Sequence, residues 1–94
     1  METTKCLTFE VWTISVHNPS PLHYSLYCDS MFCQPRDAAQ RARKIANDNR
    51  KQGASHVWTG VFNNEDGECY SQYFHNPPLD IDESIEHIGK EILA

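Results

Sequence analysis

Leu7-Thr-Phe-Glu-Val-Trp-Thr-Ile-Ser-Val16 is the stretch on which the fold turns. Its β-branched and aromatic residues predict a strand. Leu7, Phe9 and Val11 share one face, whereas Trp12, Ile14 and Val16 share the other. A bulge near Val11–Trp12, or burial of both faces, accounts for that change of phase. His17-Asn-Pro-Ser-Pro21 predicts a turn, because two prolines in three positions cannot continue a ladder. Leu22–Cys28 follows as a second strand, with Leu22, Tyr24, Leu26 and Cys28 on one face. So short a connection makes the pair an antiparallel hairpin.

After a loop at Asp29–Gln34, Pro35 suits the first position of a helix, where its missing N–H costs little. The helix is expected to run to about Gln52 and to stop at Gly53. Ala38, Ala39, Ala42, Ile45 and Ala46 recur at helical spacing and form a flat apolar stripe, able to lie close to a sheet. Ser55–Phe62 and Glu68–His75 predict a second hairpin around the polar loop Asn63–Gly67. Asn76-Pro-Pro78 breaks the chain. Asp80 then caps a final helix, with Glu83 three residues on. Ile81, Ile85, Ile88 and Ile92 form its seam, which docks on the sheet or, as the alternative, on a second copy.

The expected order is therefore β-β-α-β-β-α. It implies an α+β fold: an antiparallel four-stranded sheet with two helices packed on one face. At 94 residues, the chain fits one domain, 1–94. Ten aromatic residues can supply a small core with enough area.

The net charge of −5 is unevenly laid out. Arg36–Lys51 carries +4, and Asn64–Ala94 carries −7. A basic surface and a strongly acidic one are expected, and such asymmetry steers charged partners. Met1–Lys5 has no apolar segment behind a basic one, so no cleaved secretory signal is expected. No apolar run approaches the length of a membrane span. A cytoplasmic setting then predicts reduced thiols at Cys6, Cys28, Cys33 and Cys69. Cys28 and Cys69, inside strands, suit small buried side chains.

Motifs for chemistry are sparse. Cys28 and Cys33 have a spacing that zinc tolerates, but a second pair is missing, and no metal is expected. His17, His23, His56, His75 and His87 offer bases for a thiol nucleophile, yet spacing places none beside a cysteine. The four glycines are scattered singly, so there is no phosphate-cradling loop and no cofactor is expected. Asp80, Asp82 and Glu83 stand at a helix start, where they complement the dipole.

In length, acidity and hairpin–helix–hairpin order the chain resembles small phage accessory proteins, including some anti-CRISPR inhibitors. At residue level the likeness rests on the Ala-rich helix Asp37-Ala-Ala-Gln-Arg-Ala-Arg-Lys-Ile-Ala46. It concerns layout and carries over no functional residue. The leading expectation is a small non-enzymatic protein-binding module. It would inhibit a nucleic-acid-handling complex by presenting an acidic surface in place of phosphates. The residues expected to bind the partner are Glu65, Asp66, Glu68, Tyr70, Tyr73, Asp82, Glu83 and Glu86. The alternative is a nucleic-acid-binding domain using helix 36–51, through Arg36, Arg41, Arg43, Lys44, Arg50 and Lys51. A thiol- or zinc-dependent enzyme stands third. Either a monomer or a homodimer is compatible with the isoleucine seam.

Overall fold

The computed structural model describes residues 7–19, 22–76 and 81–94. Four strands and two helices follow one another as β1 (Phe9–Pro19), β2 (Leu22–Phe32), α1 (Pro35–Lys51), β3 (His56–Asn63), β4 (Cys69–His75) and α2 (Ile81–Leu93). The strands form one antiparallel sheet in the order β2-β1-β3-β4. The α+β class, the element order and the antiparallel sheet are those expected from the sequence. Cys6, Ser20–Pro21, the Pro77–Pro78 break and the Asp80 cap lie outside the described residues, whereas His17–Pro19, expected in the first turn, continue β1, with Pro19 opposite Leu22 beyond a register shift at His17.

The two helices do not share a face, contrary to expectation. Val57, Thr59 and Val61 of β3 point towards α1: Val57 packs with Ala46, and Val61 with Ala38, Ala42 and Ile45. Thr59 donates a hydrogen bond from Oγ1 to the Ala42 carbonyl at 2.9 Å. Trp58 and Phe62, alternating with them, pack with Ile88 of α2. Successive strand residues point to opposite faces, so the helices lie on opposite sides of the sheet. The physical reason is visible in β3, which is apolar on both faces and buried from Val57 to Asn63. One helical layer leaves such a strand half uncovered.

The phase change in β1 has the same origin. Val11 joins the α1 cluster and Ile14 joins the α2 cluster, so both faces of β1 are covered. β1 pairs with β3 without interruption from Phe9 to Val16. The bulge lies in the pairing with β2, where Val11 opposes Ser30 and Trp12 opposes Cys28. The extra residue is Asp29, on β2. That bulge lets β2 continue to Phe32, where the sequence suggested a loop from Asp29 onward.

Pro35 stands in the first turn of α1, and Gly53 follows the helix at φ 94°, both as expected. Ala38, Ala42, Ile45 and Ala46 are buried, and these short side chains bring α1 down onto the sheet. On the other face, Ile88 is fully buried among Ile14, Trp58 and Phe62, while Ile81, Ile85 and Ile92 are half-buried around them. The isoleucine seam therefore docks on the sheet. Gly60 leaves the space that the Trp58 ring occupies beside its Cα. The Trp58 indole Nε1–H, buried in this layer, donates to Gln72 Oε1 at 2.9 Å.

Among the described residues no helix is long and apolar enough to cross a membrane.

Candidate functional site

The turn between β3 and β4 is built from its own side chains. Asn63 Oδ1 accepts from the Glu65 N–H at 2.7 Å, and Asp66 Oδ1 accepts from the Glu68 N–H at 2.9 Å. These local bonds are the reason Asn and Asp favour turns. They leave Glu65, Asp66 and Glu68 exposed. Gly67 follows at φ 73°, a conformation open to glycine. Against it lies Gly89 of α2. A Cβ on Gly89 would stand 2.7 Å from the Gly67 carbonyl oxygen, so the helix and the turn touch backbone to backbone.

Gly67 and Gly89 both line a groove of about 490 Å³ between α2 and β4. Asp66, Glu68, Asp82 and Glu86 rim it, and Cys69, Ile85 and Leu93 contribute apolar surface. Gln72, anchored by Trp58, stands in its wall. Helical spacing explains the convergence: Asp82, Glu86, Gly89 and Leu93 recur every three or four residues along one flank of α2. Lys90 also lines the groove and pairs with Glu86 at 3.1 Å, with both side chains largely exposed. Four carboxylates against one ammonium leave the groove strongly negative. Its chemistry suits a cationic side chain whose aliphatic stem can lie on the apolar part.

Four of the eight residues expected to bind a partner thus meet in one place: Asp66, Glu68, Asp82 and Glu86. Glu65 and Glu83 are exposed and do not line the groove. Tyr70 and Tyr73 lie on the other side of the sheet. Tyr73 packs against the α1 clusters. Tyr70 meets Phe9 edge-on, with ring centroids 5.7 Å apart, and its hydroxyl accepts from Asn63 Nδ2 at 3.2 Å. Gln72, Ile85, Lys90 and Leu93 were not anticipated. The first needs the β3–β4 register to be known, and the others follow from extending the Asp82–Glu86 flank along α2.

The basic helix divides into two flanks. Arg41 makes a bidentate pair with Asp29 of β2, and Lys44 pairs with Asp48 at 3.1 Å. Arg36, Arg43 and Arg50 recur every seven residues, about two helical turns, and so lie in one line. Among the described residues they make no ion pair. Arg43 lies about 200° round the helix from Arg41, which places this line on the β4 side. There Arg50 joins Ala46, Asn47, Phe74 and His75 around a smaller groove of about 140 Å³. Lys51 is exposed in the last turn.

Cys28, Cys33 and Cys69 are free thiols. The expectation of buried cysteines fails for Cys28, which is exposed, and holds in part for Cys69. Loss of water around the sulfur, reinforced by the Glu10 carboxylate, pushes the Cys28 thiol up to about 11. Burial pushes Cys69 up to about 11 as well. Both shifts favour the thiol over the thiolate. Among the described residues no three His, Cys, Asp or Glu side chains gather as a metal site.

Comparison with protein-family models, curated proteins and solved structures gives no match for this chain.

Proposed function

We propose that this chain is a non-enzymatic protein-binding module that engages a basic surface of its partner through the groove between α2 and β4. The observation that carries this reading is the convergence of Asp66, Glu68, Asp82 and Glu86 around a groove with apolar surface inside it. Scattered surface acids serve solubility. Acids gathered around a recess that can seat a Lys or Arg stem are suited to recognition. The partner class we favour is a protein whose basic channel handles nucleic acid, with the carboxylates taking the place of phosphates. An inhibitor of the phage type is the specific form of this reading.

The test pairs two charge reversals that leave the core untouched. Glu68→Lys with Glu86→Lys should abolish capture of nucleic-acid-handling proteins and reduce binding of a Lys/Arg-rich peptide. Arg43→Glu with Arg50→Glu should preserve binding of the Lys/Arg-rich peptide. The opposite pattern defeats the proposal.

A second reading is favoured by the unpaired line Arg36, Arg43 and Arg50. Regularly spaced guanidinium groups on one helix flank can contact successive phosphates. Retardation of a single-stranded oligonucleotide at moderate salt, lost in the arginine variant, would support it over the first.

A further inference from the structure

We propose that β4 is a docking edge that accepts an extended segment of another protein as a fifth strand, and that the segment alternates acidic and basic side chains. β4 stands at the end of the sheet, and among the described residues its outer side has no partner strand. An edge strand presents backbone N–H and C=O groups that template another strand unless something blocks them.

The two edges are unequal in this respect. β2 is interrupted by the bulged Asp29, which the Arg41 guanidinium holds from α1. β4 carries its irregularity at the start, beside Tyr70, and Ser71–His75 then keeps regular register with Val57–Val61. Its sequence, Cys69-Tyr-Ser-Gln-Tyr-Phe-His75, contains no Lys and no Pro. Those are the residues that commonly protect an edge. Phe74 is 58% exposed on this strand.

The grooves on the two faces border β4 and carry opposite charge. The recess with Arg50, continued by Arg43 and Arg36 along α1, lies on one face. Asp66, Glu68, Asp82 and Glu86 border the strand on the other. Side chains of an added strand alternate between faces. Acidic residues would therefore meet the arginine line, and basic residues between them would meet the carboxylates. The same charges argue against a second copy as occupant. Antiparallel pairing of two β4 strands about a two-fold axis sets arginines beside arginines on one face and carboxylates beside carboxylates on the other.

The α2 side of this edge is the groove of the proposed function, so the basic half of the pattern rests on that reading. The probe is a synthetic peptide of about nine residues alternating Glu and Lys around a central Val-Thr pair, enough to span the seven residues of β4. A control peptide carries N-methyl groups on alternate amides. Titration at low salt is followed by backbone amide resonances and hydrogen exchange of the whole protein. The expected result is shifts and slowed exchange at residues 71–75, with N-methylation weakening binding about tenfold or more. Arg43→Glu with Arg50→Glu, and separately Glu68→Lys with Glu86→Lys, should each weaken it by about tenfold.

Equal binding by the N-methylated peptide overturns strand addition; if Glu68→Lys with Glu86→Lys still weakens that binding, the acidic groove stands alone. Loss on N-methylation without any effect of the glutamate reversals keeps strand addition and removes the acidic groove. Concentration-dependent dimerisation through β4, or displacement of the peptide by an oligothymidine, overturns the proposed occupant.

Discussion

Arg41 grips Asp29 with two parallel hydrogen bonds, Nε to Oδ2 at 2.9 Å and Nη2 to Oδ1 at 3.2 Å. The pair fastens α1 to the bulge in β2. The Arg41 hydrogen bond, helped by one from Ser30 and opposed by loss of water, holds the Asp29 carboxyl below its ordinary value of 3.8. A depressed carboxyl stabilises the fold fully above its unfolded value and loses that contribution as pH falls through the folded one. Asp29→Asn should cost about 1 kcal/mol at neutral pH, the scale of a partly exposed bidentate pair. Urea unfolding in steps below pH 3.8 should show the difference from wild type shrinking towards zero.

Ile88 and Ile85 belong to one seam but carry unequal weight. Ile88→Ala removes a fully buried side chain from among Ile14, Trp58 and Phe62 and should cost about 2–5 kcal/mol. Ile85 is half-buried at the groove, and its truncation should cost less. Equal midpoint shifts in chemical denaturation would contradict this ranking.

Gly89→Ala sets helix propensity against space. Alanine favours a helix over glycine by about 1 kcal/mol. Its methyl, however, would stand 2.7 Å from the Gly67 carbonyl oxygen, and a backbone atom cannot yield as a side-chain tip does. The variant should be destabilised, by about 1–3 kcal/mol on the scale of overpacked sites. A rise in melting temperature would show that α2 moves away at little cost.

Thiol reactivity offers a test of local environment. A thiol raised to about 11 is about 0.1% thiolate at pH 8. Cys28 and Cys69 should alkylate many-fold faster in denaturant than in the folded protein, read by peptide mass spectrometry. Glu10→Gln removes a carboxylate from Cys28 and should speed that residue alone. No gain at Cys28 would assign the effect to loss of water and the Asp29 carboxylate.

Local rules made most of the fold legible. Pro35 and Gly53 bracketed α1, and the isoleucine spacing identified the buried seam of α2. The placement of the helices was also written in the chain, since Val57, Trp58, Val61 and Phe62 make both faces of β3 apolar. Attention to the alanine stripe alone left that second face without cover. The bulge was half legible: a phase change in β1 marks a neighbourhood, but the extra residue sits on β2, and pairing is a long-range property. The candidate site divided in the same way. Asp82 and Glu86 share a helix flank by spacing, whereas Tyr70 and Tyr73 could be assigned a face only once the β3–β4 register was known. The heptad spacing of Arg36, Arg43 and Arg50 was present in the sequence but obscured by Arg41 and Lys44, whose partners Asp29 and Asp48 neutralise the other flank.

With the basic helix on one side of the sheet and the acidic helix on the other, the molecule is an electric dipole whose midplane is the sheet. A charged body nearby exerts a torque on it as well as a pull. Within about 8 Å, the screening length at physiological salt, an anionic surface turns α1 towards itself and a cationic surface turns α2. If β4 is the docking edge proposed above, the orientation of first encounter would be set before any side chain touches, with β4, lying between the two helices at the sheet margin, turned edge-on to a partner of mixed charge.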